Sequence, residues 1–212
     1  MTAGPILLLM LLWFGTAARA EPEIRIERKE DVFYIDARLR VDAHHHIAWE
    51  VLTDYNNLAR FVPGMQSSEI VSGPGQPLLL RQTGQSGFLV FNVPVEVTVR
   101  IDEIPLEAVR FRAISGNLNN KAGEWRLEEH GDATLLWYRA RITPGFWVPA
   151  LLATPVMVRD IARKLTGVAK EIQRRATGTI SGTTGAWERA PVAPVAACAD
   201  PFFCRRPGNV RV

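Results

Sequence analysis

The sequence predicts an α+β domain in which one long C-terminal helix covers a meander of antiparallel strands. Phe146–Arg175 carries Val158, Ile161, Leu165, Val168 and Ile172 at spacings of three, four, three and four residues, which places all five on one stripe of a helix. The region before it holds runs that alternate apolar and polar residues, the signature of half-buried strands. Short turn signals such as Gly73-Pro74-Gly75 and Gly131-Asp132 separate those runs, and strands joined by short turns pair antiparallel. A sheet with one apolar face must cover it, and the long helix is the only large element available.

Each element has its own justification. Residues 21–31 read as a charged lead-in. Val32–Val41 sets Phe33, Ile35, Ala37, Leu39 and Val41 against Tyr34, Asp36, Arg38 and Arg40, a clean strand. His44–Asp54 reads as a short helix through Ile47, Val51 and Leu52, with Asp42 placed to cap its start. Tyr55–Phe61 adds a further turn before Pro63-Gly64. Strands follow over Ser67–Ser72, Leu78–Thr83 and Phe88–Ile104. Pro94 marks an edge position or bulge in the last of these. The next run sets Val109, Phe111 and Ala113 against Arg110 and Arg112. After a turn at Asn117–Asn120, Trp125 and Leu127 oppose Glu124, Arg126 and Glu128. Thr134–Ile142 completes about seven strands, and Pro144-Gly145 delivers the chain to the helix, where Pro155 introduces a kink. Residues 176–212, rich in Gly, Thr, Ala and Pro, read as a disordered tail.

Composition narrows the function classes. A chain of 212 residues with 47% hydrophobic content fits one domain with a real core plus appendages. The net charge of +3 is small, and no basic run is interleaved with aromatics, which argues against nucleic acid as a partner. Pro5–Phe14 is an apolar run too short to span a bilayer comfortably, and Ala18-Arg19-Ala20 follows it as an A-x-A cleavage pattern. Residues 1–20 are therefore expected to be a signal peptide, and the mature protein periplasmic or secreted, although Met1–Gly4 lacks the usual Lys or Arg. Cys198 and Cys204, with five residues between them, fit a small-loop disulfide in an oxidising compartment.

The element order, together with Trp49-Glu50-Val51-Leu52-Thr53-Asp54-Tyr55, Leu58 and Phe61-Val62-Pro63-Gly64-Met65, resembles the START-like (SRPBCC) superfamily. Within it the chain is similar to the polyketide cyclase/dehydrase and coenzyme Q-binding START group. The resemblance covers about Val32–Arg175, including a terminal helix ending in Arg174-Arg175. It implies a helix-grip fold, with a curved antiparallel sheet wrapped on the long helix and an apolar cavity between them. Members bind lipids, quinones, polyketides or hormones, and a few catalyse reactions in that cavity.

The candidate site follows from both lines of reasoning. Phe33, Phe61, Phe91, Phe111, Trp125 and Tyr138 are expected on or beside the concave face, with Leu152, Met157 and Ile161 facing them from the helix. Each residue alone suits plain core packing equally well; the resemblance is what implies a cavity among them. Tyr138 is a candidate hydroxyl in an otherwise apolar lining. Glu124, Glu128, Arg110 and Arg112 read as charges on a solvated outer face. His44-His45-His46 cannot converge on one metal from a helix, where consecutive residues are about 100° apart, and reads as a solvated helix start. No catalytic constellation, metal set or cofactor motif stands out. The expected function is an exported carrier of a hydrophobic small molecule. The alternatives are a cyclase or dehydratase acting on an aromatic or polyketide-like substrate, and an envelope interaction module touching membranes transiently through Phe146, Trp147 and Phe202-Phe203.

Overall fold

The computed structural model describes residues 21–88, 91–145 and 150–179. The expected leader, Phe146, Trp147, Phe202-Phe203 and the Cys198/Cys204 pair lie outside these residues. Eight strands form one sheet: β1 (Glu23–Lys29), β2 (Val32–Val41), β3 (Met65–Ile70), β4 (Leu79–Phe88), β5 (Phe91–Ile104), β6 (Ala108–Gly116), β7 (Leu118–His130) and β8 (Ala133–Pro144). The spatial order is β1-β2-β8-β7-β6-β5-β4-β3, every neighbouring pair antiparallel. Helix α1 (His45–Thr53) and a 3-10 turn at Tyr55–Arg60 carry the chain from β2 across to the far edge at β3. The meander then returns strand by strand until β8 pairs with β2, and helix α2 (Ala150–Thr179) follows.

The sheet has one strand more than the sequence pattern predicts. The charged lead-in is β1, whose Ile24 and Ile26 lie opposite Ala37 and Ile35 of β2. Two apolar residues among Glu23, Arg25, Glu27 and Arg28 are too few to establish a period, and pairing with β2 makes the strand. Its charges suit an edge, where they deter further strand addition. Helix α2 ends four residues beyond Arg175, at Thr179. The start of α1 also differs from expectation: its N-cap is His44, without a side-chain cap, and Asp42 is 3.5 Å from Arg40 instead. Pro94 occupies a local edge as expected, because β6 pairs with β5 only from Val97 onward. The amide of Asn117 donates to its carbonyl at 2.7 Å.

The core fills the space between α2 and the inner face of the sheet. Ile161, Leu165, Val168 and Ile172 are buried against Ile35, Ala37 and Leu39 of β2 and Ile47, Val51 and Leu52 of α1. Burying each such side chain is worth about 1.5–3 kcal/mol, so four of them hold a 30-residue helix whose other faces are charged. Val158, the fifth member of the stripe, is only half-buried, and Val156 takes its place in the core. Polar ties fix the far end of the helix: Arg175 donates to Asp54 at 2.6 Å and to Glu171 at 2.8 Å. Midway, a β-carbon on Gly167 would overlap the Phe61 carbonyl oxygen and lie 2.6 Å from Pro63 Cδ. The absent side chain lets the Phe61–Pro63 segment lie flush against α2.

Candidate functional site

A cavity of about 240 Å³ opens between the inner face of the sheet and α2. For scale, an engineered apolar cavity of roughly 150 Å³ is large enough to bind benzene. The strands supply Leu80, Val99, Ile101, Val109, Phe111, Trp125, Tyr138 and Ile142, and α2 supplies Val156, Met157, Ile161, Leu165 and Val168. Leu52, Tyr55, Leu58 and Val62, from α1 and the segment after it, also line the cavity. Strand parity explains the lining, because alternate residues of each strand point to the same face. Trp125 and Tyr138 are register partners on β7 and β8 with ring centroids 4.7 Å apart, and Phe111 stacks on Tyr138 at 6.1 Å.

Gly123 makes room for this aromatic wall. It lies opposite Phe111 in the β6–β7 register, and a β-carbon there would overlap Phe111 Cζ and the Arg139 carbonyl oxygen. The ring of Phe111 thus occupies the space a side chain on β7 would fill.

Of the nine residues expected at the site, Phe111, Trp125, Tyr138, Met157 and Ile161 line the cavity. Phe33 does not. It is 1% exposed, held against Arg28 of β1 with the guanidinium 5.3 Å from its ring centroid, and belongs to the packed interior. Phe61 also falls elsewhere, lining a groove on the flank of α2 with Arg159, Arg163 and Lys170, because its backbone is pressed against Gly167. Phe91 falls in β5 and Leu152 in α2, but their side chains are outside the described set. Leu165 and Val168 carry the cavity wall deeper along the helix than the Pro155 region.

The polar part of the lining is richer than the sequence pattern implies. Lys121, Asp160, Lys164 and Gln82 join Tyr138 at the cavity. Lys121 shares the parity of Trp125 and Leu127 on β7, which is the signal that could have placed it inward. Its ammonium is 5.5 Å from the Phe111 ring centroid. Burial, with a further contribution from the charge of Lys164, pulls its pKa down to about 8. Asp160 is 7% exposed and accepts from Lys164 at 2.7 Å and from Arg163 at 3.2 Å. Burial raises the pKa of the Tyr138 hydroxyl, as does the nearby Asp160 carboxylate. The Tyr55 pKa is likewise raised, first by burial and then by Glu103, whose carboxylate accepts a hydrogen bond from the Tyr55 hydroxyl at 2.5 Å.

The outer face is less solvated than expected at one position. Glu124 is 1% exposed, covered by Arg110 at 3.4 Å and Arg126 at 4.0 Å. Long arginine stems shield a carboxylate that the alternation alone places in water. In the histidine run, the His44 and His46 rings stack at 5.8 Å and His45 is 4.0 Å from Glu129. Among the described residues no group of three or more His, Cys, Asp or Glu side chains comes together as a metal site.

A long helix gripped by a curved antiparallel sheet, with an apolar cavity between them, defines a START-like helix-grip protein. The sequence profile of the family described as polyketide cyclase/dehydrase and lipid transport matches residues 41–168, and the chain belongs to that family. None of the curated proteins matches the sequence significantly. Among solved structures, the chain is similar to a STAR-related lipid transfer protein from Xanthomonas axonopodis, with TM-score 0.59 and 16% identity over 72% of this chain and 94% of that one. It is also similar to the Zhui aromatase/cyclase of a Streptomyces species, with TM-score 0.56 and 18% identity over 68% and 95% of the two chains. A START superfamily protein from Mycobacterium smegmatis gives TM-score 0.55 and 15% identity over 69% and 98%. At these identities the likeness is one of fold.

Proposed function

We propose that the protein is an exported, non-catalytic carrier that holds a hydrophobic small molecule of lipid, quinone or isoprenoid type between its sheet and α2. The observation that carries this reading is the cavity itself: about 240 Å³, with walls mainly of aliphatic and aromatic side chains from both layers. Pockets of this character, apolar with a few placed polar groups, suit small hydrophobic ligands. Likeness to a lipid transfer protein and the A-x-A pattern of the leader support the carrier and export parts respectively. Titration with the apolar fluorophore N-phenylnaphthylamine tests the reading. Saturable enhancement in the wild type, weakened by Met157→Trp, whose larger ring narrows the cavity, is the expected result. Enhancement that Met157→Trp leaves unchanged would place the dye elsewhere and count against it.

A cyclase or dehydratase reading has one observation in its favour. Asp160, Lys121 and Tyr138 line the cavity, and such chemistry requires an inward titratable group placed for proton transfer. Against it, both Asp160 oxygens are engaged by Lys164 and Arg163. Turnover of an aromatic or polyketide-like substrate, lost in Asp160→Asn with binding retained, would establish the enzyme over the carrier.

A further inference from the structure

The charges around the cavity do not balance. Lys121 on β7 and Lys164 on α2 both line it, while Asp160 is the one carboxylate among the described lining residues. Asp160 is already taken, with one oxygen 2.7 Å from Lys164 and the other 3.2 Å from Arg163. Lys121 has no carboxylate within ion-pair distance among the described residues. Its described electrostatic neighbour other than Lys164 is the face of Phe111, 5.5 Å from the ammonium. A cation over an aromatic face gains only modestly, whereas an ammonium enclosed by apolar walls is costly unless paired.

The surroundings favour an anion at this point. Tyr138 carries a hydroxyl into the same lining, close enough to Asp160 to sense its charge, and can donate to an acceptor beside Lys121. Phe111, stacked on Tyr138, and Ile142, the register partner of Lys121, give the ammonium apolar flanks instead of compensating charge. Burial first, and the charge of Lys164 second, lower the pKa of Lys121, as expected for an ammonium that lacks a paired anion.

Resting on the reading that the cavity holds a hydrophobic ligand, we infer that this ligand is an amphiphile ending in a single carboxylate, which pairs with Lys121 and accepts from Tyr138. One negative charge neutralises the one unpaired lining cation; a doubly charged phosphate monoester would overshoot it. The apolar remainder of the ligand occupies the space bounded by Trp125, Val109 and Ile161.

Calorimetric titration of the full mature chain with decanoate and with decanol, which share a chain length and differ in the charged end, tests the assignment. The wild type is expected to bind decanoate tighter than decanol by on the order of ten- to a hundred-fold, the range for a charge-assisted hydrogen bond. Lys121→Met should erase that preference while retaining decanol, and Lys121→Arg should restore part of it. Lys121→Gln provides the same loss of charge should the Met variant fold poorly. Lys170→Met, an exposed lysine on the flank groove, should leave the preference intact. Equal affinity for acid and alcohol in the wild type, or a preference that survives loss of Lys121, overturns the inference while leaving the hydrophobic-ligand reading in place. Failure of the wild type to bind either molecule overturns both.

Discussion

Replacing Lys121 with Met should stabilise the ligand-free protein, by an amount that depends on pH. In the folded chain burial lowers the lysine from 10.5 to about 8, which corresponds to about 3 kcal/mol between charged and neutral forms. The residue keeps some solvent contact, so screening reduces the effect to about 2 kcal/mol. The unfolded chain binds the proton more tightly, so stability rises with pH wherever the unfolded state is protonated and the folded state is not. Below about pH 8 both states carry the charge and the full penalty applies; between about 8 and 10.5 it fades. Urea denaturation of wild type and Lys121→Met at pH 7 and again above pH 10.5 measures this directly. The variant should be more stable at pH 7, with the gap closing at high pH. A gap of unchanged size at both pH values would trace the effect to packing of the Met side chain. No gap at pH 7 would refute the charge argument.

Other perturbations have equally direct outcomes. Arg175→Met removes the partner of Asp54 and Glu171 and should cost about 1 kcal/mol at neutral pH for such partly exposed pairs. Arg174 first, and Arg175 with it, holds Glu171 down from 4.5 to about 2, while hydrogen bonds from Asn57 and Arg175 outweigh desolvation to lower Asp54. The contribution is therefore full above about 4.5 and is lost as the pH falls toward 2, so denaturation curves of wild type and variant should converge in acid. Ile172→Ala, at a position with 0% exposure, should cost about 2–5 kcal/mol in chemical denaturation. Gly123→Ala forces a β-carbon against the Phe111 ring and the Arg139 carbonyl oxygen, and should lower the melting temperature and weaken N-phenylnaphthylamine binding together.

The architecture was legible wherever a period was long and undisturbed. Val32–Val41 alternates through ten residues and is β2 over those same residues, and the stripe from Ile161 to Ile172 is the packed face of α2. The motif residues behind the family resemblance have a structural meaning the sequence could not display: Asp54 and Arg175, at opposite ends of the domain sequence, meet at 2.6 Å. β1 escaped because its two isoleucines acquire a period only beside β2. Phe33 and Phe61 were misplaced because composition marks an aromatic as interior without saying which interior: β1 covers one, and Gly167 brings the other's backbone flush against α2. Lys121 and Lys164 were hidden for the opposite reason. Charge normally signals the solvated face, and only the parity of Lys121 with Trp125 and the spacing of Lys164, three residues after Ile161 and four before Val168, betray their inward direction. Such local violations of hydrophobic patterning are where functional sites are expected.

Native mass spectrometry of the mature protein, purified from its own source without detergent or organic solvent, tests the central claim most directly. The account predicts a noncovalent adduct of one small hydrophobic molecule that is released on denaturation and reduced or absent in Met157→Trp. A protein that carries no such molecule, and that also fails to take up N-phenylnaphthylamine at the cavity, would contradict it.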